Sequence, residues 1–359
     1  MSRVQIIAEA GVNHNGSREL ALELVDVAAR AGADIVKFQT FRVESLVTSS
    51  APRANYQVTN TGEAGSQFAM LKALELSRND FQAILEHCQK RRIEFLSTPF
   101  DLESLSYLTH DLSQTRLKIS SGDLTNAPLL LAAARSAKQI ILSTGMSNLE
   151  EVEQALTVLA FGFTRAADVA PSLDLFRKAY ESPAGRNALK DNVALLHCTT
   201  EYPASFSDVH LRAMDTLRAR FGLRTGYSDH SVGITVPVAA AARGAEIIEK
   251  HFTLNRAMPG PDHKASLEPE ELKRMVTAIR EVEQALGNPE KIPVEAERKN
   301  MAVARKSLVA ARSIRKGETF TASNLAVKRP GTGVAPMYYW EWIGRTAGRD
   351  YALDELIEP

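Results

Sequence analysis

Residues 226–269 read GYSDHSVGITVPVAAAARGAEIIEKHFTLNRAMPGPDHKASLEP. Two strand-like runs in this stretch each stop at a histidine, His230 after Gly226–Asp229 and His251 after Ala245–Lys250. An alanine-rich segment of helical character separates them. The order is strand, helix, strand, and both strands deliver an imidazole at their ends. Two imidazoles presented from neighbouring strands can hold one divalent metal. The bland alternative is a pair of isolated, hydrogen-bonded histidines, and the rest of the chain decides between the two.

Outward from this stretch the same alternation repeats. Short apolar strands are expected at Val4–Ala8, Asp34–Thr40, Ile93–Thr98, Arg116–Ser120, Gln139–Ser143, Val193–His197, Leu223–Tyr227 and Ala245–Lys250. Each is a continuous apolar run, the pattern of a parallel strand covered on both faces. Helices are expected between them. One starts near Ser17, with Leu20, Leu24, Val27 and Ala31 on one face and Gly32 after its end. Another starts at Ser77, where Ser77 and Asp80 have the spacing of a capping box. Others follow Asp101, span Ala127–Ala137, run to about Leu159, and start at Asp208. The last begins near Pro269, with Leu272, Met275, Val276, Ile279 and Val282 on one stripe, and stops at Gly287. Eight such units predict an α/β fold, a (β/α)8 TIM barrel over residues 1–286. An open doubly wound sheet is the alternative, and no G-x-G-x-x-G follows the first strand to favour its dinucleotide-binding form.

Residues 287–303 read as a linker, with Pro289, Pro293 and a charged run. From residue 304 the pattern changes to short strands and turns, so residues 304–359 are expected to form a small, mostly-β domain that needs something to dock on.

Composition excludes several classes. The 359 residues carry 43 basic and 43 acidic side chains, so no bulk field draws nucleic acid or an anionic membrane. No apolar run approaches a membrane span, and the N-terminal MSRVQIIAEAG does not read as a signal peptide. Cys88 and Cys198 form neither a disulfide framework nor a metal spacing, which suits reduced thiols in the cytoplasm.

In such a barrel the chemistry lies at the C-terminal ends of the strands. Those ends carry Glu9, Asn13 and His14; Lys37 and Gln39; Ser97 and Thr98; Lys118 and Ser121; Ser143 and Thr144; His197, Thr199, Thr200 and Tyr202; Ser228 and His230; and His251. Lysines on separate strands with hydroxyls between them make an anion site, and phosphate is its natural occupant. Two histidines with few carboxylates suggest a metal site completed by water and substrate oxygens. Glu9, on the same rim, is the acid–base candidate. A Schiff-base lysine is the competing use of Lys37 or Lys118.

The motifs AEAGVNHNGS, ADIVKFQTF, FLSTPF, LKISSGDL, ILSTGM, LLHCTTEYP, GYSDHS, IEKHFTL and GPDHKASLEP, in this order, resemble those of the bacterial sialic acid synthase family. The tail, with IRKGETF, LAVKRPGTG and IGRTAGRD, resembles that family's C-terminal SAF (antifreeze-like) domain. The resemblance implies condensation of phosphoenolpyruvate with N-acetylmannosamine, or a related 2,4-diacetamido-trideoxy mannose, plus water. The products would be a nine-carbon 2-keto acid, N-acetylneuraminate or legionaminate, and phosphate. It implies a divalent ion, Mn2+ with Mg2+ or Co2+ as alternatives, on His230 and His251. It implies that Lys37, Lys118, Ser121, Ser143, Thr144 and Ser228 bind phosphate and carboxylate. Gln39, Tyr202 and Asp262 would hold sugar hydroxyls, Glu9 would manage protons, and Thr98, Asp123 and Thr200 would also contact substrate. It further implies a homodimer with a swapped SAF domain, in which Arg329 reaches the N-acyl group bound by the partner subunit. Two positions depart from the pattern: some members carry Asn at the position of Thr200 and Glu at that of Asp123. The segment 160–192 is long for the family and is expected to lie away from the site. Residues 41–78 follow a strand, so they lie on the active face, with Arg53, Tyr56, Gln57 and Gln67 available for sugar selectivity. The competing activity is a metal-dependent pyruvate aldolase on the same barrel. A binding protein that works through its tail is the competing class, and it leaves the polar strand ends unexplained.

Overall fold

The computed structural model describes residues 3–62 and 65–358. Residues 63 and 64 of the 41–78 connection lie outside it, as do Met1, Ser2 and Pro359 at the ends of the two expected domains. The chain divides into two units, Met1–Gly287 and Asn288–Pro359.

The first unit carries eight parallel strands: β1 (Gln5–Gly11), β2 (Ile35–Thr40), β3 (Glu94–Pro99), β4 (Arg116–Ile119), β5 (Gln139–Ser143), β6 (Val193–Cys198), β7 (Arg224–Asp229) and β8 (Ile247–His251). The ladder runs β3-β2-β1-β8-β7-β6-β5-β4, and β3 packs beside β4 across the remaining seam. This is a nearly closed TIM-like barrel, as the alternation predicts. Strand bounds differ from the expected ones by at most three residues, the largest at the end of β1, which runs on from Ala8 to Gly11.

The helices start where their caps dictate. Ser17 Oγ accepts the Leu20 amide at 3.2 Å, and Gly32 ends the helix Arg18–Ala31 in the left-handed region at φ 82°. Ser77 and Asp80 form the expected capping box on Arg78–Arg91. The helix expected from Asp208 begins only at Ala213, after a short turn at Phe206–Asp208. The delay has a physical cause: the Asp208 carbonyl accepts from Thr199 Oγ1, and the Val209 carbonyl is bonded to the His197 imidazole. Both carbonyls are tied to the loop after β6 rather than to a helix. The segment 160–192 finishes one helix, Leu149–Thr164, and forms two more, Leu173–Glu181 and Pro183–Asn192. Phe176 packs edge-on against Phe161 at 5.1 Å, and the segment enters β6 at its N-terminal end.

Strand parity organises the barrel interior, because alternate side chains face inward. Ile7, Ile35, Leu96, Ile141, Ala194, Leu196 and Ile247 form a buried apolar plug. It is separate from the larger core between strands and helices. Gly226 sits at the same level on β7, where an added Cβ would lie 2.3 Å from the Ile247 carbonyl oxygen and 2.7 Å from Leu196 Cδ2.

The second unit begins with a helix, Glu295–Ala304, inside the stretch that reads as a linker. Its charged residues satisfy a helical first turn, with Glu297 accepting the Val294 amide. The sheet is smaller than the tail pattern suggests. Among the described residues only β9 (Ser307–Ala310) and β10 (Leu325–Lys328) pair as an antiparallel ladder. Ile314–Tyr351 and Thr319–Thr346 join as single bridges. Leu308, Ile314, Phe320, Leu325, Tyr351 and Ile357 form its core.

Gly226→Ala is expected to cost about 1–3 kcal/mol, since the clash is with backbone and cannot be relieved by one rotamer. Urea unfolding should show a lower midpoint with an unchanged slope.

Candidate active site

The residues two positions beyond the plug form the floor of a cavity at the C-terminal mouth. Ile7 leads to Glu9, Ile35 to Lys37, Leu96 to Thr98, Ile141 to Ser143, Leu196 to Cys198 and Gly226 to Ser228. Ile247 leads to Glu249, which contacts the floor lysines without itself lining the cavity. Lys118 completes this level on β4. A further two positions give the rim, which includes Gln39, Ser120, Thr200, His230 and His251. Ser121, Tyr202 and Asp262 reach the same cavity from loops.

The floor is a chain of buried charges. Lys37 Nζ lies 2.8 Å from Glu9 Oε2 and 3.5 Å from Glu249 Oε2. Lys118 Nζ lies 3.3 Å from Glu249 Oε1, which also accepts from Ser228 Oγ at 2.7 Å. Lys37 Nζ donates to Thr98 Oγ1 at 3.2 Å, and Gln39 Nε2 donates to Glu9 Oε1 at 3.2 Å. These contacts follow from register, which sets Glu9 beside both Lys37 and His251 and Ser228 beside Glu249.

The environments split the two carboxylates. Burial pushes Glu249 up, but Lys118 and Lys37 outweigh it and hold the group far below the usual carboxylate range. For Glu9 burial outweighs Lys37, and the carboxyl ends up raised. Burial likewise opposes charge on both lysines. The carboxylates of Glu249 and Glu9 reverse it at Lys37, which ends up raised, whereas Lys118 ends up lowered. One carboxylate is a fixed charge and the other is fit to exchange a proton, the division that acid–base chemistry needs.

Several buried polar atoms here have no partner: Ser143 Oγ, Thr200 Oγ1 and His251 Nδ1. Such atoms are rare unless a ligand or water satisfies them. Gly145 opens the corner beside them. A Cβ there would lie 2.4 Å from Thr200 Oγ1 and 2.9 Å from Cys198 Sγ and Ser121 Oγ.

The two imidazoles stand 5.5 Å apart between ring centroids. His230 Nδ1 is 2.6 Å from the Thr199 carbonyl, so it carries the proton and leaves Nε2 as a lone-pair donor. Burial pushes His230 down to about 4 and His251 well below its ordinary value, so both are neutral, as metal ligands must be. Metal–nitrogen bonds of about 2.1 Å let two rings at this spacing share an ion. Among the described residues no group of three or more His, Cys, Asp or Glu side chains is gathered for a metal. The donor set therefore fits an ion that takes its other ligands from water or substrate. Tyr202 packs on His230 at 4.1 Å, and Tyr56 packs on Tyr202 at 4.9 Å. Asn60 Nδ2 donates to the carbonyls of Tyr202 and Pro261, tying three loops over the site.

Most of the expected residues meet in this cavity. Thr144 and Asp123 do not line it. Thr144 follows Ser143 and points to the other face of β5, where its hydroxyl donates to the Leu196 carbonyl at 3.0 Å. Asp123 turns back to accept from Ser120 Oγ and Asn126 Nδ2. Arg329 belongs to the second unit, where its Nε donates to the Ala304 carbonyl at 3.1 Å. Of the four residues proposed for selectivity, Tyr56 and Gln57 line the cavity; Gln67 bonds to Gln57 Oε1, and Arg53 bonds to Thr61. Glu249 is missing from the sequence-derived set. Its signal was available: it lies two residues before His251, so it shares that residue's face.

Comparisons with known proteins point to one family. The model of the NeuB family matches residues 24–291, and that of the SAF domain matches 305–359. The N,N'-diacetyllegionaminic acid synthase of Campylobacter jejuni is 46% identical over 99% of each chain. The enzyme of the same name from Legionella pneumophila is 45% identical over 92% of this chain and 86% of its own. The crystal structure of N-acetylneuraminic acid synthetase from Leptospira borgpetersenii, in complex with citrate, superposes with a TM-score of 0.66. It is 35% identical and covers 84% of this chain and 90% of its own.

Asp262 provides a pH-dependent signature of the site. Burial, and then Glu9, raise its carboxyl from 3.8 to about 7. Between those values the folded chain binds more protons than the unfolded one, so this group lowers stability as pH rises through the window. Asp262→Asn should remove that loss. Its stability relative to the parent chain is expected to rise from pH 4 to pH 8 in urea titrations, and a flat difference would contradict the assignment.

Proposed function

The chain belongs to the NeuB family, and on that premise we propose that it joins phosphoenolpyruvate to the open-chain aldehyde of an N-acylated mannosamine. Water is consumed, and a nine-carbon 2-keto acid and phosphate are formed. The observation that carries this reading is the buried lysine pair around Glu249, with unpartnered Ser143 and Thr200 hydroxyls beside it. A site for pyruvate alone has no use for a second buried lysine and a ring of hydroxyls. The names of the similar enzymes support the same reaction class.

In this reading Lys37, Lys118, Ser121, Ser143, Thr200 and Ser228 hold the phosphate and carboxylate of phosphoenolpyruvate. His230 and His251 would hold a divalent ion, Mn2+ in our assignment. When bound, that ion supplies Lewis-acid polarisation of the sugar aldehyde. Carbon 3 of phosphoenolpyruvate attacks the aldehyde carbon, and the Glu9 carboxyl gives its proton to the aldehyde oxygen, which becomes a hydroxyl. Water then adds at carbon 2, giving up a proton, and the carbon–oxygen bond to phosphate breaks to leave the ketone, the remaining water proton departing with the phosphate. Glu9, whose carboxyl is raised, takes the proton from that water. Gln39, Tyr202 and Asp262 orient the sugar, and strand register keeps the strand-borne groups in fixed positions.

We assign the protein to the cytoplasm, a reading supported by two buried, unpaired cysteines, Cys88 and Cys198. We also assign it a homodimer in which Arg329 of one subunit contacts the N-acyl group bound in the other.

The reaction is tested by phosphate release from phosphoenolpyruvate, with Mn2+ and either N-acetylmannosamine or its 2,4-diacetamido-trideoxy relative. Release is expected only with sugar present and should stop on chelation. Pyruvate-dependent condensation without phosphate release would replace the synthase by an aldolase.

Arg329→Ala is expected to raise the KM for sugar about tenfold or more, in line with loss of a charge-assisted hydrogen bond, and to leave that for phosphoenolpyruvate near the parent value. Equal KM values in variant and parent would remove Arg329 from the site.

A further inference from the structure

The two imidazoles come from neighbouring strands, yet the β7–β8 ladder stops one residue short of them. Its last pair sets Asp229 beside Lys250. Strand parity turns these two side chains to the face opposite His230 and His251, away from the barrel interior. There they meet. Lys250 Nζ donates to Asp229 Oδ2 at 2.5 Å, and both side chains are fully buried. The same ammonium also donates to the Ser231 carbonyl. Lys250 therefore grips the chain on both sides of His230, and it is itself the residue before His251. One side chain ties the segment that presents the first imidazole to the strand that presents the second.

The rest of each frame is held independently. Asp229 Oδ1 accepts from the Tyr227 hydroxyl at 3.1 Å, the Ser231 amide at 3.0 Å and the Ser231 hydroxyl at 2.8 Å. His230 is fixed from the β6 side, where the Thr199 carbonyl meets its Nδ1 and the Ala204 amide donates to its carbonyl at 2.9 Å. His251 pairs with Glu9 of β1, and the Leu267 amide donates to its carbonyl at 2.9 Å. The spacing between the two frames remains to be set, and the Asp229–Lys250 pair spans it. Desolvation makes a buried ion pair a weak source of stability. A fully satisfied polar network does impose one arrangement on the elements it joins. We propose that Asp229 and Lys250 are positioning residues that set the 5.5 Å spacing of the His230 and His251 rings and so prepare them for a shared ion. Neither residue lines the cavity, so the pair acts through the histidines and not on substrate. The proposal rests on the two-histidine ion assignment made above.

The test is Mn2+ binding to the full chain without substrates, read from the electron paramagnetic resonance signal of free Mn2+. The double variant Asp229→Asn/Lys250→Met removes both charges together. It keeps an oxygen for Tyr227 and Ser231 and replaces the lysine by a side chain of similar shape. Its Kd for Mn2+ is expected to rise about 10- to 100-fold, the range for losing a group that orients metal ligands. Its KM for phosphoenolpyruvate at saturating Mn2+ should stay near the parent value. Should that variant fold poorly, Lys250→Met alone, which keeps Asp229 with its three other donors, carries the same expectation. A purely structural pair would lower the urea midpoint of the metal-free chain and leave the Kd of the folded variant at the parent value, and that result overturns the proposal. A parent chain that takes up no Mn2+, or takes it up equally well as His251→Ala, overturns the ion assignment and the proposal with it. That outcome is distinct from a variant that binds like its parent.

Discussion

Glu249 is the group on which the site depends. It is buried and takes part in contacts to two buried lysines on different strands and to a serine on a third. Removing such charges from water is expensive, and breaking a buried pair by deleting one partner typically costs about 3–5 kcal/mol. The barrel tolerates them because each charge has a counter-charge across a strand boundary. That requirement fixes which residues can stand at this level. Lys37 must face Glu9 and Glu249, and Lys118 must face Glu249 from the opposite side of the barrel. The apolar plug beneath keeps water out and the interaction strong.

The same arrangement readies the site for anions. Lys118 and Lys37 hold Glu249 as a fixed negative charge, while burial raises the carboxyl of Glu9. Unpartnered Ser143 Oγ and Thr200 Oγ1 lie at the same end and cost free energy while unsatisfied. Both hydroxyls are placed to donate to an oxyanion received there.

Much of this was legible in the sequence because strand parity is a strict rule. His230, Ser228, Lys37, Gln39, Glu9 and Ser143 all follow from knowing where apolar runs end and that alternate residues share a face. The misses break the same rule. Thr144 was grouped with Ser143, although adjacent residues on a strand face opposite ways. Glu249 was passed over beside His251, although it stands two residues before it. Asp123 was lost for another reason: local acceptors and donors at Ser120 and Asn126 captured its carboxyl. The linker reading of 287–303 rested on prolines and charge, yet the residues after Pro293 carry the acidic first turn of a helix. The late start of Ala213–Phe221 was illegible, because it depends on contacts from Thr199 and His197 that no local pattern encodes.

The architecture sets the charged floor and the apolar wall formed by Met70 and Leu71 on different elements. Glu9, Lys37, Lys118, Ser143, Ser228, Glu249 and His251 sit on strands, where register holds each beside its neighbours. Met70 and Leu71, by contrast, sit on the segment 41–74, whose helices meet the barrel through contacts such as Gly16 with Ala73 and Asn60 with Pro261. Such a segment can exchange Met70 or Leu71 for another side chain without touching the charge network beneath. Segments of this kind are where binding specificity is ordinarily carried on a rigid scaffold. The charged floor and these two apolar side chains are thus built on elements with different mechanical coupling to the core.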